Sequence, residues 1–192
     1  QEYIANVKKH VLVLGSSQDT LAAFEQLKSY HEDKSFGSTE PYDVGSKRYM
    51  RIWSDFEQSL GKYTSDLGYY DLFIICKEHG HTMYTSAQES DLGTNLAHGQ
   101  YKDEGLARLW RKVVNHDQIV VEDYSPYTPS QGQEAMFIGG PIKNEARETI
   151  GVVALQVPTD QINAIVQQRQ GLGTTGETYL ATRQEGRIEF RS

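Results

Sequence analysis

The sequence contains little cysteine and no long apolar segment. Its single cysteine, Cys76, excludes an intramolecular disulfide, and its place in the apolar run 72–76 predicts a small residue buried in the core. No stretch approaches the roughly 18 consecutive apolar residues of a membrane-spanning helix. Because the chain begins at Gln1 rather than at methionine, we expect it to be a piece of a longer protein whose membrane segments lie outside these residues.

Positive charge is also scarce. The 19 lysines and arginines are outnumbered by 26 acidic residues, which gives a formal net charge of -7, and no basic run interrupts this acidity. An acidic surface repels phosphate backbones, so we expect no nucleic-acid partner. Hydrophobic residues make up 38% of the chain, which is typical of a polar globular domain and not of a disordered segment.

Motifs for common catalytic and cofactor sites are missing or out of context. No G-x-S-x-G, H-E-x-x-H or P-loop pattern occurs. The G-x-G-x-x-G at 171–176 follows a predicted helix and precedes a β-like segment, the reverse of the order that a dinucleotide site needs. His79 and His81 lie at a predicted hairpin tip, and two histidines alone are insufficient for a zinc site, so we interpret them as exposed turn residues. We therefore predict no cofactor, no bound metal and no catalytic residue.

The first part of the chain has an amphipathic pattern. Apolar residues between 4 and 27 recur at spacings of three and four, with an interruption at 15–19. A further helix is predicted over 47–64, so we expect an N-terminal helical region over 1–66. The narrow apolar stripe suits either packing on its own domain or dimerisation through the helix, and the pattern leaves both open.

After residue 66 the period changes to that of strands. Short connections between consecutive strands favour an antiparallel sheet, and one helix lies between the second and third strands. The predicted class is therefore α+β, with long N-terminal helices followed by a PAS-like five-stranded antiparallel sheet over 67–158 and a connecting helix with the start of a second module over 159–192. The predicted strands span 69–76, 82–85, 118–125, 134–142 and 149–157, the crossover helix spans 103–114, and a last hairpin joins 179–182 to 187–190.

Six segments in this region resemble, in order, one subfamily of Cache sensor domains. Such domains lie outside the inner membrane in bacterial methyl-accepting chemotaxis proteins, sensor histidine kinases and nucleotide cyclases, so the resemblance implies ligand sensing in the periplasm and transmembrane signalling. The segments are GYYDLFII (68–75), ESDLGTNL (89–96), GQY (99–101), DYSPYTPS (123–130), IGVVALQVP (150–158) and GLGTTGETYL (171–180).

Two features of the chain bear on how far the resemblance extends. Gln88 stands where the subfamily usually has a lysine, which leaves the class of ligand open if that lysine pairs with an anion. The segment 171–180 opens the membrane-proximal module of such proteins, so this chain carries at most the start of that module.

A ligand pocket is expected between the sheet and the crossover helix, flanked by segments 84–101 and 123–137. Hydroxyl groups there are donors for a small carboxylate, and aromatic rings form a wall for its carbon body. By family analogy, the first guess for the ligand is a monocarboxylate such as pyruvate. The candidate ligand-binding residues are Tyr84, Ser86, Asp91, Thr94, Asn95, Tyr101, Asp123, Tyr124, Tyr127, Ser130 and Phe137.

The resemblance implies a chemoreceptor sensor domain that is not an enzyme. Binding is expected to shift the flanking helices and to carry that shift toward the membrane. The alternatives are the sensor domain of a histidine kinase or cyclase, a ligand-free dimerisation or structural module, and an enzyme whose motif is not recognised.

Overall fold

The computed structural model describes residues 2–34, 37–160, 181–184 and 187–190. The continuation of the predicted connecting helix beyond residue 160 and the glycine-rich segment at 171–176 lie outside the described residues. The helices are α1 (Glu2–Leu14), α2 (Gln18–Lys34), α3 (Lys47–Leu67) and α4 (Gly105–His116), and the strands are β1 (Asp71–Cys76), β2 (Thr82–Thr85), β3 (Val120–Tyr127), β4 (Gln133–Lys143), β5 (Thr149–Val157), β6 (Ala181–Gln184) and β7 (Arg187–Phe190).

The first five strands form one antiparallel sheet in the order β2-β1-β5-β4-β3, and α4 connects β2 to β3. This confirms the predicted α+β class with a PAS-like (Cache) arrangement. The hairpin predicted at the end of the chain is also present, as β6 paired with β7. β3 extends to Tyr127 instead of ending at Ser125, so Tyr127 is held by the sheet and not by a loop.

The two faces of the sheet are covered by different elements. On one face, α4 packs through Leu109 against Gly139, in a core that includes Phe73 and Phe137. The opposite face is covered by the N-terminal helices: Val11 of α1 lies against Gly140, Phe24 of α2 against Gly151, and the Trp53 ring of α3 stacks on Tyr84. Each strand therefore sends alternate side chains to two different environments.

The apolar stripe of the N-terminal helices is buried against the chain's own sheet. Val7, Val11 and Leu14 are at most 1% exposed, which fits packing on the same domain. Two other apolar residues of α1, Leu12 and Val13, are 64% and 58% exposed. They leave an apolar patch on the surface, so dimerisation through this helix stays a prediction.

The chain divides into two compact units, Gln1–Val157 and Pro158–Ser192. Helices α1 to α3 belong to the same unit as the five-stranded sheet, and a separate boundary near residue 66 stays a prediction. Within the described residues, no helix combines the length and the apolar character required to cross a bilayer.

Cys76 is only half-buried, so the prediction of a fully buried core thiol is wrong. It is the last residue of β1 and lines a surface cleft at the end of the sheet, where no further layer covers it. Partial burial still raises the pKa of its thiol.

The end of α1 approaches β4 so closely that a side chain does not fit between them. A Cβ atom on Gly15 would lie 2.5 Å from the Pro141 carbonyl oxygen, and the Lys143 N–H donates to the Gly15 carbonyl at 3.2 Å, so neither backbone is free to move. We expect Gly15→Ala to lower the free energy of unfolding by about 1–3 kcal/mol, as overpacking usually does. Urea denaturation measures this change.

Gly45→Ala is the matched control for this prediction. Its Cβ atom would meet only the Asp43 carboxylate, at 3.6 Å, which is an ordinary van der Waals distance. Both substitutions reduce the conformational freedom of the unfolded chain in the same way, but only Gly15→Ala introduces a steric clash. Equal stabilities for the two variants would show that the α1–β4 contact relaxes freely.

Candidate ligand-binding site

The two segments predicted to flank the pocket meet over one end of the sheet. The Tyr127 hydroxyl donates to Asp91 Oδ2 at 2.5 Å, and the Ser130 hydroxyl donates to Glu89 Oε2 at 2.7 Å. Residues 86–101 and 127–132 therefore form one covering layer, which we call the roof. It lies over the start of β1 and the end of β5.

Asp71 fastens the beginning of the roof to the sheet. It is the first residue of β1 and is fully buried. Its Oδ1 atom accepts hydrogen bonds from the backbone N–H groups of Leu72 at 2.7 Å, Ser86 at 2.8 Å and Ala87 at 3.0 Å. Its Oδ2 atom is buried without a hydrogen-bond partner among the described residues.

Two more acceptor oxygens are buried without a hydrogen-bond partner among the described residues. Gln156, which pairs with Asp71 across β1 and β5, donates from Nε2 to the Ser130 hydroxyl at 3.1 Å, while its Oε1 atom is buried and unpartnered within the described residues. Asp91 Oδ1 is likewise buried and unpartnered there. Asp71, Asp91 and Gln156 are called the acceptor cluster below. Together they present three oxygens that can accept hydrogen bonds, and for none of them is a donor in place among the described side chains and backbone groups.

No lysine or arginine in the described part of the chain forms an ion pair with Asp71, Asp91 or Glu89. Gln88, at the position where the Cache subfamily usually has lysine, has an exposed side chain. Within the described residues, therefore, no cationic side chain offsets the charge that these carboxylates carry when ionised.

This environment acts on the ionisation of both aspartates. Burial raises the pKa of Asp71 well above its usual range, the charge of Asp91 adds to the rise, and the hydrogen bonds that Asp71 accepts oppose it without cancelling it. Burial also raises the pKa of Asp91 to about 6, against the hydrogen bond from Tyr127 and with the help of the Glu89 charge. Both carboxylates are thus costly to keep charged in the absence of a cation.

Several of the predicted site residues lie at or around the cluster. Asp91 is a member, and Tyr127 and Ser130 contact members directly. Ser86 binds Asp71 through its backbone. The remaining two hold the roof in shape, because Thr94 donates its hydroxyl to the Asp91 carbonyl at 2.6 Å and the Tyr101 hydroxyl lies 2.7 Å from the Ser90 hydroxyl.

Tyr84 and Tyr124 lie on the opposite face of the sheet. Tyr84 pairs with Ile74 and faces α3, where its hydroxyl donates to Glu57. A register irregularity between Glu122 and Ser125 turns Tyr124 toward α1, and the pKa of its phenol is raised by burial and by the nearby Tyr3. We expected these two rings to line the pocket because of their positions along the chain. The strand register, which decides the face that carries each ring, did not enter that expectation.

Three other predicted residues are near the sheet but away from the cluster. Asn95 donates to the Ser38 carbonyl at 2.8 Å and accepts from the backbone N–H of Ala97 at 2.9 Å, so it shapes a turn within the roof, away from the acceptor cluster. Asp123 accepts from the backbone N–H of Tyr124 at 2.8 Å on the edge strand. Phe137 belongs to the core beneath α4, with its ring 4.9 Å from that of Tyr127.

Asp71, Gln156 and Glu89 belong to the candidate site but were not predicted from the sequence. The sequence contains an indication for Asp71 and Gln156. Each is a polar residue in a mostly apolar strand, at a position that alternation along the strand places on the same face as core residues. Asp71 shares its face with Phe73, and Gln156 shares its face with Ala154. Glu89 carries no such signal, since a glutamate in a polar loop is ordinary.

A second polar group lies at the other end of β1. His81 is fully buried, and its Nδ1 atom lies 3.1 Å from Nε2 of His31 on α2. The prediction that His79 and His81 are exposed turn residues is therefore wrong for His81. The hairpin tip folds back against α2, a contact that no local pattern in the sequence indicates.

No protein-family model and no curated protein sequence matches the chain. Among solved structures, the sensor domain of the V. cholerae histidine kinase DctB is 14% identical with a TM-score of 0.43, over 100% of this chain and 87% of that one. The E. coli DcuS sensor domain is 14% identical with a TM-score of 0.47, over 85% and 94% of the two chains. The ligand-binding domain of the Campylobacter jejuni chemoreceptor Tlp3, in complex with 4-methylisoleucine, is 13% identical with a TM-score of 0.48, over 96% and 67%. Likenesses this weak carry no ligand over to this chain.

Proposed function

We propose that the chain is the extracytoplasmic sensor part of a bacterial transmembrane receptor and that it binds a small organic molecule at the acceptor cluster. The observation that carries the proposal is the set of three buried acceptor oxygens, on β1, β5 and the roof, that receive no hydrogen bond from the described residues. Leaving a buried polar group unpaired costs about 1–3 kcal/mol, so three at one place favour a bound partner.

The chemistry of the cluster favours a ligand with a protonated amine. Such a group donates up to three hydrogen bonds, which is the number of unpartnered oxygens, and its charge offsets those of Asp71 and Asp91. A simple carboxylate such as pyruvate would add acceptors and negative charge to a place where the described residues offer neither a free donor nor a cation. The cluster therefore supports an amine or amino acid over the monocarboxylate first guess.

The roof supplies a route by which the ligand reaches the cluster. Tyr70 is 43% exposed and donates to Glu89 Oε1 at 2.7 Å, and Glu89 in turn accepts from the buried Ser130. This chain of hydrogen bonds runs from the surface to the cluster. We propose that it opens to admit the ligand and closes over it.

Asp71 also links the ligand to the helices. Only Gly68, Tyr69 and Tyr70 separate it from the end of α3, and the Tyr70 N–H donates to the Gln156 carbonyl at 3.0 Å. A ligand that joins Asp71 to Asp91 would therefore displace the end of α3 as the roof closes, and this displacement is the proposed signal toward the membrane. A chemoreceptor is the favoured output, with a histidine kinase or a cyclase as alternatives, and binding is proposed to occur without turnover.

A thermal-shift screen tests this proposal. A ligand bound only by the folded protein at 100 times its Kd adds about 2.7 kcal/mol, which for a chain of this size raises Tm by roughly 5–10 °C. We expect such a rise with one or more amines or amino acids, and none with the same compounds after N-acetylation. A rise with carboxylates alone would restore the first guess, and no response to either class would favour a structural module that dimerises through the exposed patch of α1.

A further inference from the structure

Three histidines from two separate parts of the chain converge at the end of β1 that is remote from the acceptor cluster. His31 comes from α2, while His79 and His81 come from the turn between β1 and β2. One ring nitrogen of each lies within 4.8 Å of the others. The rings of His31 and His79 stack with centroids 5.4 Å apart, and those of His31 and His81 are 4.9 Å apart.

The turn that brings His79 and His81 together depends on the glycine between them. Gly80 has φ +73, a left-handed conformation that side chains rarely adopt, and a Cβ atom there would lie 3.0 Å from the Trp110 ring. The turn is therefore fixed by backbone geometry and by packing on α4, so the backbone positions of His79 and His81 are set by the fold.

Hydrogen bonding orients the buried imidazole for ligation. His81 Nε2 lies 2.7 Å from the Glu40 carbonyl oxygen, which can only accept, and 3.2 Å from Asn95 Nδ2. The shorter contact places the proton of the neutral ring on Nε2. This leaves a lone pair on Nδ1, the atom that faces His31. A ligating histidine usually has its other ring nitrogen held by such a backbone carbonyl.

The distances suit a tetrahedral metal ion. Two nitrogens bound to Zn²⁺ at 2.0–2.1 Å lie about 3.4 Å apart, and His81 Nδ1 is 3.1 Å from His31 Nε2. His79 Nδ1 is buried and has no hydrogen-bond partner among the described residues, so it is available as a third ligand.

A fourth coordination position would open toward solvent. His31 and His79 line a surface cleft of about 640 Å³, together with Glu32, Glu78 and Cys76. The cleft gives an ion access to the three nitrogens and leaves room for a water or an exogenous ligand.

We propose that His31, His79 and His81 form a binding site for one divalent transition-metal ion, of the class that imidazole prefers, with Zn²⁺ as the principal candidate. This site is separate from the proposed amine site and requires nothing of it.

Titration of the metal-stripped 192-residue chain with Zn²⁺ by calorimetry, and with Co²⁺ by visible absorption, tests the proposal. We expect one ion per chain and a Co²⁺ spectrum typical of tetrahedral coordination. Second-sphere changes cost 10- to 100-fold in affinity, so loss of a ligand in His31→Ala or His79→Ala should cost more than about 100-fold. These two residues are only partly buried, so their variants should fold even if His81→Ala does not.

His116→Ala removes an exposed histidine of α4 and should bind Zn²⁺ like the unaltered chain. Circular dichroism checks that each variant is folded. Binding that is undetectable in the unaltered chain, or that folded His31→Ala and His79→Ala retain in full, would show that the three rings only pack together. The thermal shift with an amine should persist in His79→Ala, so failure of the metal site and failure of the amine site are distinguishable.

Discussion

Replacing Asp71 by asparagine is expected to weaken the binding of a protonated-amine ligand by about 10- to 100-fold and to leave the fold intact. The amide keeps one oxygen for the three backbone N–H groups that Asp71 Oδ1 now accepts. It replaces the unpartnered Oδ2 with an NH₂ group, which cannot accept a hydrogen bond from the ligand. A hydrogen bond to a charged group contributes about 1.5–3 kcal/mol, and each 1.4 kcal/mol corresponds to a tenfold change in affinity.

Calorimetric titration of the amine found in the screen measures this change. Asp55→Asn is the matched control, because it removes the same charge from an exposed position on α3. Long-range attraction alone would weaken binding equally in both variants. An unchanged affinity in Asp71→Asn would remove Asp71 from the site, and a gain in affinity for a carboxylate would mean that the ligand is an anion.

Alanine at position 71 separates the structural role of the residue from its binding role. Asp71→Ala leaves the Ala87 N–H group without its acceptor at the start of the roof, and it leaves the Ser86 N–H group with only its bond to the Leu72 carbonyl at 3.2 Å. At about 1–3 kcal/mol for an unpaired group, we expect a loss of roughly 1–3 kcal/mol in the free energy of unfolding, which Asp71→Asn should not show.

The fold could be predicted because its signals are local. The period of apolar residues changes from that of a helix to that of a strand after residue 66, and short turns specify antiparallel neighbours. The bounds of single elements were less certain. β3 continues through Pro126 to Tyr127, which is acceptable in an edge strand because an edge residue has no second neighbour to bond.

The candidate site was predicted only as a region, because the residues proposed to form it are brought together by pairing across strands. Tyr84 and Tyr124 are correctly placed along the chain, but the face that each occupies depends on register, and a one-residue irregularity reverses it. His31 and His81 show the same limit, since 50 residues separate them and only the packing of α2 brings them together.

Replacing Asp91 by asparagine should stabilise the protein by about 2–3 kcal/mol at pH 7.5 and by only about 1 kcal/mol at pH 4.5. The pKa of Asp91 is raised to about 6 in the folded protein, from an ordinary value of 3.8. The folded state therefore holds the proton more tightly than the unfolded state. The stability that Asp91 contributes is complete below about pH 4 and is lost as the pH rises through about 6, because a charged, buried carboxylate must then be maintained. A shift of about two units corresponds to roughly 3 kcal/mol.

Two neighbours strengthen this expectation. Asp71 faces Asp91 with the same charge and has its own pKa raised by burial, so removal of the Asp91 charge also makes ionised Asp71 less costly. Asparagine keeps an oxygen that can accept the hydrogen bond from Tyr127, so the roof stays attached to β3. The pH profile of Asp91→Asn should therefore be flatter than that of the unaltered chain.

Urea denaturation at the two pH values measures both effects, and Asp117→Asn is a control of opposite sign. The pKa of Asp117 is lowered by its hydrogen bonds with Lys143 and Thr149, so its contribution is present at neutral pH and is lost as the pH falls. If Asp91→Asn is no more stable than the unaltered chain at pH 7.5, a hydrogen-bond donor or a cation outside the described residues already binds the Asp91 carboxylate. Asp91 would then not offer an unpartnered oxygen to a ligand. If Asp91→Asn is more stable and no longer binds the amine, the ionised Asp91 carboxylate both destabilises the fold and binds the ligand. This is the expected behaviour of a group that is retained for binding.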